Sequence, residues 1–157
     1  MRNQARAAHC TANDLFWFAN AADLVEICNG FGSEDAAKWE RDALTLVFRK
    51  YAVVAAIHDC RYEKSDGTEA KRRIADNEFR DNAIKVWKHN YGFWRFFRPA
   101  AYADRTKLRL AYVMLREFGG SAWQEAYRRR TVEVKESKSE KVKRSLRECG
   151  GVEVREK

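Results

Sequence analysis

The chain offers its backbone almost nothing that interrupts a helix: one proline, Pro99, and eight glycines in 157 residues. Proline inside a helix removes a hydrogen bond and clashes with the preceding turn, and glycine gives up the most freedom on ordering. Ala, Leu, Glu, Lys and Arg are abundant around them, so an all-α fold is expected. Within the first 130 residues the breakers fall at Gly30 and Gly32, Gly67, Gly92, Pro99 and Gly119-Gly120, and each marks a candidate turn.

Between those marks the helices can be laid out. Residues 1–12 read as a loose lead-in, after which Asn13 caps a helix from Asp14 to about Ile27. Ser33 caps a second, running to about Tyr62. Its second half, Tyr51 to Ile57, is apolar on every side, as in a helix buried all round. Lys64-Ser65-Asp66-Gly67 is a turn signal and Thr68 a cap. The third helix carries Ile74, Ala75, Phe79, Ala83, Val86 and Trp87 at helical spacing. Gly92 and Pro99 bracket an aromatic knot of Tyr91, Phe93, Trp94, Phe96 and Phe97. A fourth helix, about Ala101 to Phe118, stops at Gly119-Gly120, and Ser121 caps a fifth reaching about Arg130. Residues 1–130 thus form one helical domain, and 131–157, where Lys, Glu, Ser and Val alternate, a basic tail that is mobile or weakly helical.

The net charge of +8 suits an anionic partner without choosing among nucleic acid, lipid and acidic protein. No segment reaches the roughly 18 apolar residues of a membrane span, and no apolar stretch follows the N-terminus as in a secretory signal. A cytoplasmic location is expected, with Cys10, Cys28, Cys60 and Cys149 as free thiols. The knot's aromatics, interleaved with Lys85, Lys88, Arg95 and Arg98, suit ordinary core with snorkelling cations. Alternatively they suit the rim of an anionic lipid interface.

Candidate chemistry sits where the buried run ends. His58 and Asp59 are costly there unless each has a partner. If helices two and three form an antiparallel hairpin about Gly67, positions 58 and 76 are equidistant from the turn, and Asp76 faces His58. A carboxylate on one imidazole nitrogen fixes the tautomer and leaves the other free to accept a proton from water. Tyr62, one turn beyond His58, can bond Asp76. Asp59 has only Arg61 or Lys64 as a basic neighbour. A hard cation with carbonyl ligands from the Cys28–Gly32 loop is the other way to satisfy it.

These residues resemble the phospholipase A2 family in its short bacterial and phage form. His58-Asp59-Cys60-Arg61-Tyr62 is similar to its H-D-x-x-Y active-site helix. Cys28-Asn29-Gly30-Phe31-Gly32 is similar to its calcium loop, and Asp76 in Ala75-Asp76-Asn77-Glu78-Phe79 to its second aspartate. The likeness covers about residues 28–82, with the motifs in family order. It implies two long antiparallel helices with additional C-terminal helices, and calcium-dependent hydrolysis of a glycerophospholipid ester at a membrane surface. By the same likeness His58 activates water, Asp76 orients it and Tyr62 supports the pair. Asp59 binds Ca2+ with the carbonyls of Cys28, Gly30 and Gly32, and the Gly30 N–H completes the oxyanion hole. The sequence departs from the family at Val54, Ala55 and Arg61, where the animal enzymes have cysteines, so their disulfide framework is missing. Two other classes compete. One is a non-catalytic structural or interaction module of a phage or bacterial particle. The other is a basic nucleic-acid binder using Arg128-Arg129-Arg130 and Lys141-Val142-Lys143-Arg144, although a solvated tail and no stable nucleic-acid partner are expected.

Overall fold

A computed structural model describes residues 1–28 and 48–149. Among these every regular element is helical, so the fold is all-α. Three short helices lead in: α1 (Arg2–Ala7), α2 (Asp14–Phe18) and α3 (Ala21–Ile27). After a 3-10 turn at Arg49–Tyr51 come α4 (Ala52–Glu63) and α5 (Glu69–Tyr91). A second 3-10 segment (Gly92–Phe96) then leads into α6 (Pro99–Cys149). The Ser33 cap and the start of the expected second helix lie outside the described residues.

The N-terminus is not loose. Ala5 and Ala8 are buried, and the Arg2 guanidinium donates to the carbonyls of Phe16 and Ala19, which fastens α1 across α2. Asn13 caps α2 as expected, accepting from the Phe16 amide. The helix does not run on to Ile27, because Asn20 caps α3 on its own by accepting from the Asp23 amide.

α4 is buried on nearly every side, with Val53 to His58 all in the interior. Its partner α5 starts at Thr68, whose hydroxyl accepts from the Lys71 amide, and ends at Gly92, held at φ +52. The two lie antiparallel, since His58 and Tyr62 both reach Asp76 and Arg61 reaches Glu78. Phe79, Ala83, Val86 and Trp87 face the core, whereas Ile74, expected with them, is exposed. Asn82, fully buried, donates to the Thr11 carbonyl and accepts from the Thr11 amide, and so closes the lead-in onto α5.

α6 corrects the sequence expectation most. Gly119-Gly120 does not end a helix: one helix runs from Pro99 to Cys149, and Ser121 donates back to the Phe118 carbonyl instead of capping. Two glycines cost a helix about 2 kcal/mol against alanine, and contacts made there offset it. Ser65 donates to the Trp123 carbonyl, Gln124 to the Gly67 carbonyl, and the Tyr127 ring lies against Gly67. The helix also continues through the expected boundary at residue 130. Beyond Ala126, however, none of the described side chains is buried.

Candidate active site

Asp76 is completely buried on α5, and four side chains from three helices meet it. Its Oδ1 accepts from the Tyr62 hydroxyl at 2.9 Å and lies 3.2 Å from His58 Nε2. Its Oδ2 accepts from Arg72 Nη1 at 3.1 Å and stands 3.6 Å from Arg116 Nη1 on α6. The spacing of the sequence builds this directly. Positions 58 and 62 share one face of α4, and positions 72 and 76 share one face of α5.

A carboxylate only accepts, so the nitrogen of His58 that faces Asp76, Nε2, carries the proton. Nδ1 makes no hydrogen bond among the described residues and keeps a free lone pair. The imidazole is held between the Tyr62 ring, centroids 4.2 Å apart, and the edge of Phe79, 5.4 Å away. Only 6 % of His58 remains accessible. Burial first, then the Asp76 charge, push the Tyr62 phenol far above its ordinary range, so it stays a donor. Trp123 packs edge-on against Tyr62 and closes the side toward α6.

Asp59 faces the other way. Its Oδ2 is buried with no hydrogen-bond partner among the described residues. Burial, then the neighbouring Cys28, push the carboxyl well above the usual carboxylate range. Cys28 ends α3 and donates its thiol to the Ala56 carbonyl at 3.7 Å. The neighbouring Cys60 sulfur, then burial, push the Cys28 thiol up, and the same pairing lowers the Cys60 thiol. Cys10, Cys28 and Cys60 are free thiols, as expected. Gly30 and Gly32, read as loop ligands and oxyanion donor, lie outside the described residues.

No cluster of three or more His, Cys, Asp or Glu side chains capable of holding a metal occurs among the described residues. Backbone carbonyls are among the oxygen donors calcium takes. The orphaned, buried carboxylate oxygen of Asp59 beside the end of α3 suits one ligand of such an ion, because a divalent charge offsets the burial that raises this carboxyl.

The structure thus brings together His58, Tyr62 and Asp76, and sets Asp59 beside Cys28. Sequence reasoning missed two participants. Arg72 was visible in principle, as a cation one turn before Asp76. Arg116 was not, since it lies forty residues away on α6. Arg72 does more than pair with Asp76. It bonds Glu69 and also donates to the carbonyls of Leu115 and Arg116, so it locks α5 to α6. An open cleft of about 600 Å³ around Thr11, Asn77, Glu78, Asp81 and Lys85 contains none of His58, Asp59, Tyr62 and Asp76.

No protein-family model matches the chain, and no curated protein or solved structure matches it either. The class of site present, a buried histidine–carboxylate pair, rests on its own geometry. No described helix is long and apolar enough to cross a membrane.

Proposed function

We propose that the protein is a calcium-dependent, phospholipase A2-like hydrolase of glycerophospholipid esters. One observation carries this reading: Asp76 Oδ1 takes both His58 Nε2 and the Tyr62 hydroxyl, which leaves Nδ1 of a fixed imidazole as a base. Water at Nδ1 gives up a proton as its oxygen attacks the ester carbonyl carbon. The tetrahedral adduct then expels the lysophospholipid alkoxide, which takes the proton back from Nδ1, and a free fatty acid remains. Asp76 holds the ring in register and offsets the imidazolium charge, while Tyr62 fixes Asp76. Calcium held by Asp59 and loop carbonyls, Cys28 among them, would polarise the ester carbonyl and offset the oxyanion charge.

Purified chain incubated with mixed phospholipid liposomes and calcium is expected to release fatty acid. Chelator should stop it, and His58→Ala and Asp76→Asn should each lower the rate by about 10²–10⁴-fold. Absence of release under every condition overturns the hydrolase.

A second reading has its own observation. Arg72 ties Asp76 Oδ2 to α6 carbonyls, as a purely structural network would. In that case the chain is a non-catalytic module of a phage or bacterial particle. Asp76→Asn would then lower the melting temperature with no activity to lose.

A further inference from the structure

Past Tyr91, which packs against the core, the aromatic knot between α5 and α6 faces outward. Gly92, at φ +52, turns the chain out of α5, and Pro99 starts α6 where its missing N–H costs nothing. Between them Phe93, Trp94, Phe96 and Phe97 are each more than half exposed. They pack edge-on or tilted against one another, with centroids 5.8 Å apart for Phe93–Phe97, 6.1 Å for Phe93–Phe96 and 6.4 Å for Trp94–Phe97. Tyr102, also exposed, donates to the Phe96 carbonyl and extends the patch onto α6. Scattered apolar residues are ordinary on a protein surface, but a contiguous set of exposed rings in mutual contact marks an interaction site.

Charge says what meets it. From Asn82 to Ala103 the sequence has no Asp or Glu and four fixed cations, Lys85, Lys88, Arg95 and Arg98. The Arg95 guanidinium lies over the Phe96 ring at 4.3 Å and donates to the Gly92 carbonyl. Beside the rings opens a recess of about 380 Å³ lined by Gln4, Lys50, Asn90, Tyr91 and Arg98, with no acid in its wall. Lys50 there is partly committed, donating to Tyr91 and Asp104, whereas Arg98 is exposed. A second copy of the chain seated on this patch by two-fold symmetry would set Arg95 and Arg98 against their own equivalents, which like-charge repulsion opposes. An anionic lipid surface opposes nothing: rings settle at headgroup depth and guanidiniums meet phosphates.

We propose that the cap at residues 92–98 seats the protein on an anionic phospholipid surface, with Phe93, Trp94 and Phe97 entering the headgroup layer and Arg95 and Arg98 meeting phosphates. The cap is sixteen residues along α5 from Asp76, roughly 24 Å at 1.5 Å per residue, so it is a separate surface. Seating goes beyond hydrolysis and does not require His58 to be catalytic.

The test is co-sedimentation of the full chain with vesicles of phosphatidylcholine alone and of equimolar phosphatidylcholine and phosphatidylglycerol, in chelator. Wild type is expected to partition onto the anionic vesicles and to weaken as salt rises. Trp94→Ser with Phe97→Ser, and separately Arg95→Gln with Arg98→Gln, should each weaken binding by about tenfold or more. The sites are exposed, and unchanged circular-dichroism melts check that both variants fold. His58→Ala should bind like wild type, so lost hydrolysis with retained binding sinks the enzyme alone. Binding equal among wild type and both variants overturns the cap, as does no binding at all. So does a concentration-dependent dimer that the ring variant dissolves while vesicle binding is unchanged, since the rings then serve a second copy.

Discussion

Gly119 and Gly120 are adjacent in one helix and answer to different forces. A Cβ built on Gly119 would stand 2.7 Å from the Tyr62 hydroxyl and 3.7 Å from Arg72 Nη1, whereas one on Gly120 meets nothing within 4 Å. Gly119→Ala must displace the phenol that holds Asp76 and is expected to cost about 1–3 kcal/mol. Gly120→Ala removes only backbone freedom and should stabilise by about 0.5–1 kcal/mol. Urea unfolding of the pair decides it, and equal effects would mean that Tyr62 does not occupy the space above Gly119. Asp59 makes a second prediction at this scale. Calcium that binds the folded chain raises its melting temperature by mass action. The rise is expected for wild type and should vanish in Asp59→Asn. A melt unmoved by millimolar calcium, or moved equally in the variant, removes Asp59 as a ligand.

The hairpin of α4 and α5 was legible because its determinants are local. Gly67 sits at φ +76, Thr68 caps, and the apolar run of α4 fixes its depth, so the level of His58 and Asp76 follows from counting outward from the turn. What was not legible depends on other elements. α1 has no side-chain cap, and its order comes from Ala5, Ala8 and Arg2 docking on later residues. The close approach of Tyr62 and Arg72 to Gly119 depends on the neighbouring helices, and Arg116 reaches Asp76 only because α6 docks against α5, a contact across forty residues of sequence. The first turn of α5 carries a pH signature. Hydrogen bonds from Arg72, then Arg73, lower the Glu69 carboxyl from 4.5 to about 2. A carboxyl held below its unfolded value binds fewer protons folded than unfolded across that interval. Its contribution is therefore complete above 4.5 and lost as pH falls toward 2. The group is solvent-exposed, so the effect is small. Glu69→Gln should flatten the acid limb of the melting-temperature profile and leave the slope at neutral pH unchanged. An identical acid limb would mean that Glu69 does not hold Arg72 in solution.

At the scale of the molecule, α6 is a strut whose first half is built in and whose second half is not. Ala101, Leu108, Trp123 and Ala126 are buried along it, and past Ala126 the described side chains face solvent. Residues 131–157 carry eight basic and six acidic side chains, a net +2, so residues 1–130 keep +6 of the +8. Electrostatic attraction to an anionic surface scales with the cations placed near it, and most of that charge belongs to the packed part. Truncation after Arg130 is accordingly expected to change stability by no more than about 0.5 kcal/mol, the range for sites without buried contacts. It should leave vesicle binding and any hydrolysis within about twofold, since rings, cations and the His58 site all precede the cut. A nucleic-acid binder working through Lys141 to Arg144 predicts the opposite: DNA retention that falls with salt and collapses on truncation. If truncation abolishes vesicle binding too, the tail and not the aromatic cap carries the attraction, because no ring or cation of the cap is touched by the cut.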